Sequence, residues 1–425
     1  MIYDVIVIGA GLAGLMAAES AADAGARVLL LAKGLGSLPL TTGCIDILGY
    51  FPATSKTPLA TPASEINRVP PQHPYGKVGA EGLWAALGHF QKILESEKYP
   101  YMGSGEKNTL IPTSLGSLHP TGLVPDTLKG GDLSIPGSVL LLGFEGLKDF
   151  FPHFAANNLN LLHERGQAAS VFRAAILKRP DLGEKAINGL TLAYAFEKEE
   201  FRASFAQEMR SLMRPGERLG LPAVLGIHSP IKVWSDLQER VGAPIFEIPL
   251  PPPSVPGLRL QGILKADFQK KGGRLFIGVS EMAPLLEKSR IVGLRLGDSR
   301  KNVPHRASAF VLATGQFVGG GLDSDRNRIF ETLFNLPLRF PENRKEWFRT
   351  PLLTPAGQPF NGFGVEVDRN LQPVNFKGEV VYSNLFAAGA IIAHGDSMNE
   401  KSGGGIAVST GFWAGKYAAE CAKKS

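Results

Sequence analysis

The chain has 425 residues, 44% of them hydrophobic and 20% charged, a composition that supports sizeable packed cores and excludes wholesale disorder. With 45 basic against 39 acidic residues the net charge is +6, a mild excess that reads as solvated surface and not as a nucleic-acid stripe. Two cysteines, Cys44 and Cys421, exclude a disulfide scaffold, leave too few thiolates for an iron–sulfur cluster or an all-thiolate metal site, and fit a reducing compartment.

The opening residues predict strand, glycine turn, helix, strand. Tyr3–Ile8 is a β-branched apolar run of the kind found in a parallel strand covered on both faces. Gly9-Ala10-Gly11-Leu12-Ala13-Gly14 follows at once, a helix is predicted from Leu12 to Ala24 with Gly25 as its C-terminal stop, and Arg27–Ala32 reads as a second buried strand. Residues 50–135 are rich in Pro, Gly, Ser and Thr, with one helix predicted over Glu81–Glu97. Between about 145 and 245 the pattern turns helical, most clearly at Gly166–Leu177 and Phe196–Met213. The proline-dense stretch Ile248–Gly257 marks a stiff boundary. Beyond it a helix is predicted over Leu258–Lys271. Strands follow at Arg274–Ile277, Ile291–Leu296, Ala309–Leu312 and Leu385–Ala387, and a last helix over Gly404–Ala422. No signal peptide is read before Tyr3, and no apolar run approaches the roughly 18 residues that span a bilayer, so the chain is read as soluble or held at a membrane by something else.

A strand before and a helix after give the Gly9-x-Gly11-x-x-Gly14 spacing its meaning. The glycines permit a tight turn and a close approach of backbone to phosphate, and the helix start offers unpaired N–H groups and positive dipole to an anion. The acidic residue expected about twenty positions on, for an adenosine ribose, is missing. Lys33 stands there instead, and no acid lies between Asp23 and Asp46. That pattern admits a 2′-phosphate and hence NADP, a ligand without adenosine such as FMN, or adenosine held by other groups. Two later features favour a flavin over a nicotinamide. Ala313-Thr314-Gly315 ends a buried strand with small residues that let main chain pass close to a nucleotide. Gly389 and then Gly403-Gly404-Gly405-Ile406 form a second glycine-lined helix start, whose dipole suits the charge on the edge of a reduced flavin. Thr42, Gly43 and Cys44 follow the second strand closely enough to line the same cleft. The central expectation is that the two glycine-lined helix starts converge on one flavin.

With these motifs in hand, the chain resembles the B component of anaerobic glycerol-3-phosphate dehydrogenase. The likeness is carried by Asp4–Leu15, Thr42-Gly43-Cys44-Ile45-Asp46-Ile47-Leu48, Leu221–Gly226, Pro252-Pro253-Ser254-Val255-Pro256-Gly257-Leu258-Arg259-Leu260 and the glycine-rich tail. The resemblance implies a protein that pairs with a larger FAD-bearing subunit. It also implies a further, iron–sulfur subunit, which anchors the complex at the inner face of the cell membrane. The complex would oxidise sn-glycerol 3-phosphate to dihydroxyacetone phosphate and pass electrons toward quinone. The cofactor the resemblance implies is FMN, with FAD the alternative.

Oxidation of an alcohol at a flavin needs a base for the hydroxyl proton and cations for the phosphate. His394, beside Asp396 and between the two glycine motifs, is the candidate base, with His228 a competitor; Arg349 and Lys401 are candidate phosphate contacts. The cluster Arg326, Arg328, Arg339, Arg344, Lys345 and Arg349 reads as a possible anion or acidic-partner surface, and no metal site is expected. The predicted cofactor set is Gly9, Ala10, Gly11, Leu12, Gly14, Lys33, Thr42, Gly43, Ala313, Thr314, Gly315, Gly389, Gly403, Gly404, Gly405 and Ile406. The expected architecture is an α/β, Rossmann-type FAD/NAD(P)-binding flavoprotein fold with an inserted α+β domain. Its flavin-binding parts are residues 1–50, 251–322 and 376–425, and the inserted substrate or interface parts are 51–250 and 323–375. Two other readings remain open: an NADP-dependent oxidoreductase, and an electron-relay or scaffold subunit with no substrate site of its own.

Overall fold

A computed structural model of the chain describes residues 2–183, 186–297 and 304–424. It divides into two compact units, one of residues 1–37, 46–93 and 263–425, the other of residues 38–45 and 94–262.

The first unit is built on a sheet whose strands run in the order Arg274–Ile277, Val28–Ala32, Ile2–Ile8, His305–Leu312, Arg290–Leu296, Met282–Glu287. Leu385–Ala387 pairs with the C-terminal half of His305–Leu312, opposite Ile2–Ile8. The central pairings are parallel, with Ile8 opposite both Leu31 and Leu312. Val5–Ile8 and Leu29–Leu31 have no exposed surface, which is why these strands read as unbroken apolar runs without alternation. Arg290–Leu296 and Met282–Glu287 form an antiparallel edge.

Helix Leu12–Asp23 packs against the C-terminal helix Gly403–Lys423 at backbone distance. A Cβ on Gly411 would sit 2.4 Å from the Ala13 carbonyl oxygen, and one on Gly415 would sit 2.2 Å from that of Ala17. The Ser20 hydroxyl donates across the contact to the Phe412 carbonyl at 2.8 Å. The fully buried Glu19 on the same helix is held by His89 Nε2 at 2.6 Å and by the Lys271 ammonium.

The second unit carries a four-stranded parallel sheet in the order Ile245–Ile248, Arg218–Pro222, Gly137–Phe144, Ser170–Leu177. Helices Pro152–Glu164, Gly189–Phe196, Glu199–Leu212 and Pro230–Val241 belong to it, and Leu140–Leu142, Leu219, Phe196, Phe205 and Met209 form its core. The helix predicted over Gly166–Leu177 is corrected here to a strand. The preceding helix ends before Gly166, whose φ of +70° breaks it, and Ser170–Leu177 then pairs residue for residue with Gly137–Phe144. The helix predicted over Phe196–Met213 falls on Glu199–Leu212, and Phe196 ends a separate helix, Gly189–Phe196, opened by a capping box between Asn188 and Thr191. The remaining predicted helices fall on Pro74–Ser96, Val255–Lys270 and Gly403–Lys423.

A buried ion pair stiffens this unit. Arg259 and Glu247, neither with any exposed side-chain surface, meet through Arg259 Nη2 and Glu247 Oε1 at 2.9 Å. Arg259 Nε also donates to the Gly226 carbonyl, and Glu247 accepts the Leu225 N–H. Burial alone would push the guanidinium down, but the adjoining carboxylate reverses that and holds it firmly charged.

Candidate functional site

The glycine turn of the first unit is shaped by contacts no side chain would fit. Gly9 has a φ of +113°, and a Cβ there would lie 2.2 Å from the Ala313 carbonyl oxygen; at Gly14 it would lie 1.8 Å from the Gly9 oxygen. Gly11 differs, because a Cβ on it would meet nothing within 4 Å. The turn therefore packs tightly at its two outer glycines and opens at the middle one. No side chain caps the helix that follows, and its first internal bond runs from Leu15 N–H to the Gly11 carbonyl. The N–H groups of Leu12, Ala13 and Gly14 have no acceptor among the described residues, which is the arrangement that receives a phosphate. Gly36, with φ +76°, brings the segment after the second strand onto the Gly11 backbone. Lys33 is exposed at that strand's end, and its ammonium has no partner among the described residues.

Across the turn, Ala313 donates its N–H to the Ile8 carbonyl at 2.8 Å, which places Ala313-Thr314-Gly315 against Gly9. The Thr314 hydroxyl is buried against Gly321 and has no hydrogen-bond partner among the described residues. Gly389, ahead of the second helix start, comes against the first helix. Gly389 has a φ of +76°, a Cβ on it would lie 2.7 Å from the Ala13 Cβ, and its N–H donates to the Thr410 hydroxyl at 2.8 Å. Gly389, Gly403 and Ile406 line one small cavity of about 20 Å³ with Gln316, Asn361 and Ser397. Ser402 supplies no side-chain cap to the C-terminal helix. Gly405 has a packing reason of its own, since a Cβ there would lie 2.2 Å from the Tyr75 hydroxyl oxygen. Thr42 and Gly43 belong to the second unit, where Gly43 is accounted for by Pro256, whose Cβ would stand 2.6 Å from a Cβ at this position.

A larger pocket, about 500 Å³, is lined by His394, Arg339, Arg349, Phe340, Phe363, Gln358, Asp396 and Glu400 among others. His394 and Arg349, selected separately from sequence, thus share one wall-lined space. Lys401, at φ +50° after the short helix Ser397–Glu400, is not among the lining residues. His228 lies in the second unit, with its ring against Tyr194 at 5.7 Å. Of the basic cluster, Arg328 pairs with Asp325 and Arg344 donates to the Arg326 carbonyl, while Arg339 and Arg349 reach the pocket.

The acids of this pocket are satisfied from behind. Asp396 accepts from Asn361 Nδ2 at 2.9 Å and Asn399 Nδ2 at 2.7 Å. Glu400 accepts from the Ser402 hydroxyl at 2.8 Å and from His73 Nε2 at 3.1 Å, and His73 Nδ1 in turn accepts the Tyr75 N–H. That chain fixes the His73 tautomer with its proton on Nε2. Burial alone would raise the Glu400 carboxyl, yet the donors from His73 and Ser402 outweigh it and hold it below the ordinary range. Arg349 donates one nitrogen, Nη1, to the Gly357 carbonyl at 2.6 Å and the Ala356 carbonyl at 3.2 Å, and Arg339 gives Nε to Glu366 at 3.2 Å. Their remaining guanidinium nitrogens have no acceptor among the described residues. Glu366 and Arg339 were not singled out as a pair by sequence, because the residues that meet at Glu366 lie far apart along the chain.

The family described as FAD binding domain matches residues 4–406. A Halobacterium salinarum protein, named as the probable B component of an anaerobic glycerol-3-phosphate dehydrogenase, is 32% identical over 98% of both chains. The B component of the Pectobacterium carotovorum anaerobic glycerol-3-phosphate dehydrogenase is 31% identical over 96% of both chains. The chain belongs to the family of anaerobic glycerol-3-phosphate dehydrogenase B components. Among solved structures, 3-ketosteroid-Δ4-(5α)-dehydrogenase from Rhodococcus jostii RHA1 is similar at a TM-score of 0.44 and 15% identity, covering 100% of this chain and 97% of that one. As a member of its family the chain is a flavoprotein dehydrogenase subunit of an α/β FAD-binding fold. The residues present fit a flavin phosphate: the space at Gly11 is one a Cβ would enter freely. No helix among the described residues is long and apolar enough to cross a membrane.

Proposed function

We propose that this chain is the subunit of an anaerobic sn-glycerol-3-phosphate dehydrogenase that oxidises glycerol 3-phosphate to dihydroxyacetone phosphate. In this reading electrons leave toward quinone through an iron–sulfur subunit that holds the complex at the inner face of the membrane, beside a larger FAD-bearing partner. The observation that carries the reading is the pocket: two arginines with unused donors, Arg339 and Arg349, and one imidazole, His394, line the same space of about 500 Å³. Such a set suits a small phosphate monoester bearing an alcohol.

Gly9, Ala10, Gly11, Leu12 and Gly14, with Lys33, Ala313, Thr314 and Gly315, would hold the flavin's phosphate side, and Gly389, Gly403, Gly404, Gly405 and Ile406 would face its ring. When bound, the flavin supplies a two-electron acceptor for the hydride leaving the carbinol carbon. Arg339 and Arg349 fix the phosphate so that the hydroxyl presents to His394, and His394 takes the hydroxyl proton as the carbonyl forms. Lys401 joins them as a further phosphate contact only by a change of its side-chain direction. FMN is the flavin favoured by Lys33, which stands where a carboxylate would bind an adenosine ribose; FAD is favoured by the description of the matched family.

Anaerobic addition of glycerol 3-phosphate to the purified chain tests the reading. Bleaching of the flavin by the chain alone supports a substrate site here. Bleaching only after the larger FAD-bearing partner is added assigns the alcohol chemistry to that partner and leaves this chain an electron relay. Chromatography of the acid-released chromophore decides between FMN and FAD.

A further inference from the structure

We propose that Glu366 is the positioning residue that makes His394 a base, holding its ring so that Nδ1 is the atom that receives the substrate proton. The inference rests on the reading of the pocket as an alcohol phosphate site. Glu366 is a hub: its Oε2 meets His394 Nε2 at 2.7 Å and Arg339 Nε at 3.2 Å, and its Oε1 meets Lys77 Nζ at 3.0 Å. Burial would raise this carboxyl, but the donors from His394 and Lys77 outweigh it and keep it below the ordinary range, so it stays an acceptor. An ionised carboxylate has no proton to give, so the proton of the 2.7 Å bond belongs to His394 Nε2. The neutral ring then carries its lone pair on Nδ1, which has no partner among the described residues, and the ring lines the pocket.

The backbone agrees with a fixed ring. His394 sits at φ +72°, in the left-handed region that is unfavourable for a non-glycine residue and persists where the surroundings impose it. Its N–H donates to the Gly362 carbonyl at 3.0 Å, and the preceding Ala393 N–H donates to Val365, so the strained residue is pinned beside the strand next to Glu366. The groups facing the ring are thus Glu366, Lys77 and Arg339, with Arg349, Asp396 and Glu400 around the pocket. The second consequence is for Arg339. Its Nε is used on Glu366, which leaves the two terminal nitrogens to take phosphate oxygens side by side. One carboxylate therefore orients both the proton acceptor and an anion-binding guanidinium. In the step itself the hydroxyl gives its proton to Nδ1 as the C–O single bond becomes a carbonyl, and a bound flavin would supply the acceptor for the hydride of the carbinol carbon.

The test reads the ring directly and the turnover separately. In the full chain labelled with ¹⁵N-histidine, with H394Q assigning the resonance among the 8 histidines, His394 is expected to show a protonated Nε2 and an unprotonated Nδ1 near pH 8. E366M is expected to mix the tautomers, to lower kcat of the assembled complex about 10- to 100-fold, and to raise KM for glycerol 3-phosphate as Arg339 loses its orienting partner. E366Q, which keeps an oxygen acceptor for Nε2–H, is expected to restore the single tautomer and part of the turnover; it also carries the test if E366M does not fold. A proton on Nδ1 in the wild type, or E366M with unchanged tautomer and kcat, overturns the proposal. If H394Q keeps full turnover, the reading of the pocket fails instead, whatever the tautomer shows.

Discussion

Both units place a helix after the end of a parallel strand, yet they treat the amides of the loop ahead of it differently. In the second unit the loop after Arg218–Pro222 is filled by the chain's own acids. Glu197 Oε1 accepts the N–H groups of Ile227, His228 and Ser229 at 2.8, 2.7 and 3.1 Å, and Glu247 takes that of Leu225. In the first unit the start after Gly11 and the start after Ser402 have no side-chain cap. A helix start is an anion site only where the chain leaves it unfilled, and glycine at the middle of the first turn keeps it so. The second unit satisfies the amides of the loop that leads into helix Pro230–Val241 with its own carboxylates, whereas the glycine turn of the first unit has no such acid.

The largest effect that would sharpen this contrast is in the second unit. R259M strands the Glu247 carboxylate in a site with no exposed surface and is expected to cost about 3–5 kcal/mol by denaturant unfolding, without any direct effect on flavin. Next comes G9A, which must relieve a contact of 2.2 Å with the Ala313 oxygen at a positive φ. A loss of about 2–4 kcal/mol together with the flavin colour is expected. E197A is predicted to cost about 1–2 kcal/mol, because three amides lose their acceptor, with flavin content unchanged; a loss of flavin on E197A would break the comparison.

Acid gives the smallest and most graded effect. Glu197 and Glu400 are both held below the usual carboxylate value of 4.5, against burial, by backbone and side-chain donors. A carboxyl lowered by folding contributes stability that is complete above its unfolded value and is lost as pH falls through its folded one. The melting temperature is therefore expected to decline as pH drops below about 4.5, and E197Q is expected to flatten part of that decline.

The first unit was largely legible. A strand–glycine–helix spacing, buried apolar strands and a glycine-lined C-terminal helix are local signals, and each has a local cause. The second sheet was not. Gly137–Phe144 and Ser170–Leu177 are short apolar runs fully or partly covered by helices, and periodicity alone does not separate such strands from helix. His394 and Arg349 could be chosen by chemistry because they flank recognisable motifs. Glu366 could not, since Lys77 reaches it across 289 positions and its meaning lies wholly in what folding brings to it. Gly43 and Gly405 show the reverse: each fits a cofactor motif in sequence, and each has a packing neighbour that requires glycine.

The proposed flavin site rests above all on the open turn at Gly11. Titration of the purified full chain with flavin, followed by fluorescence quenching for wild type and G11V alongside their unfolding curves, tests this most directly. The expected result is a tenfold or greater weakening of flavin binding with stability changed by no more than about 1 kcal/mol, since the added Cβ meets no protein atom within 4 Å and the side chain would stand where the phosphate is proposed to bind. Equal flavin affinity for the two proteins, with the fold intact in both, would contradict it.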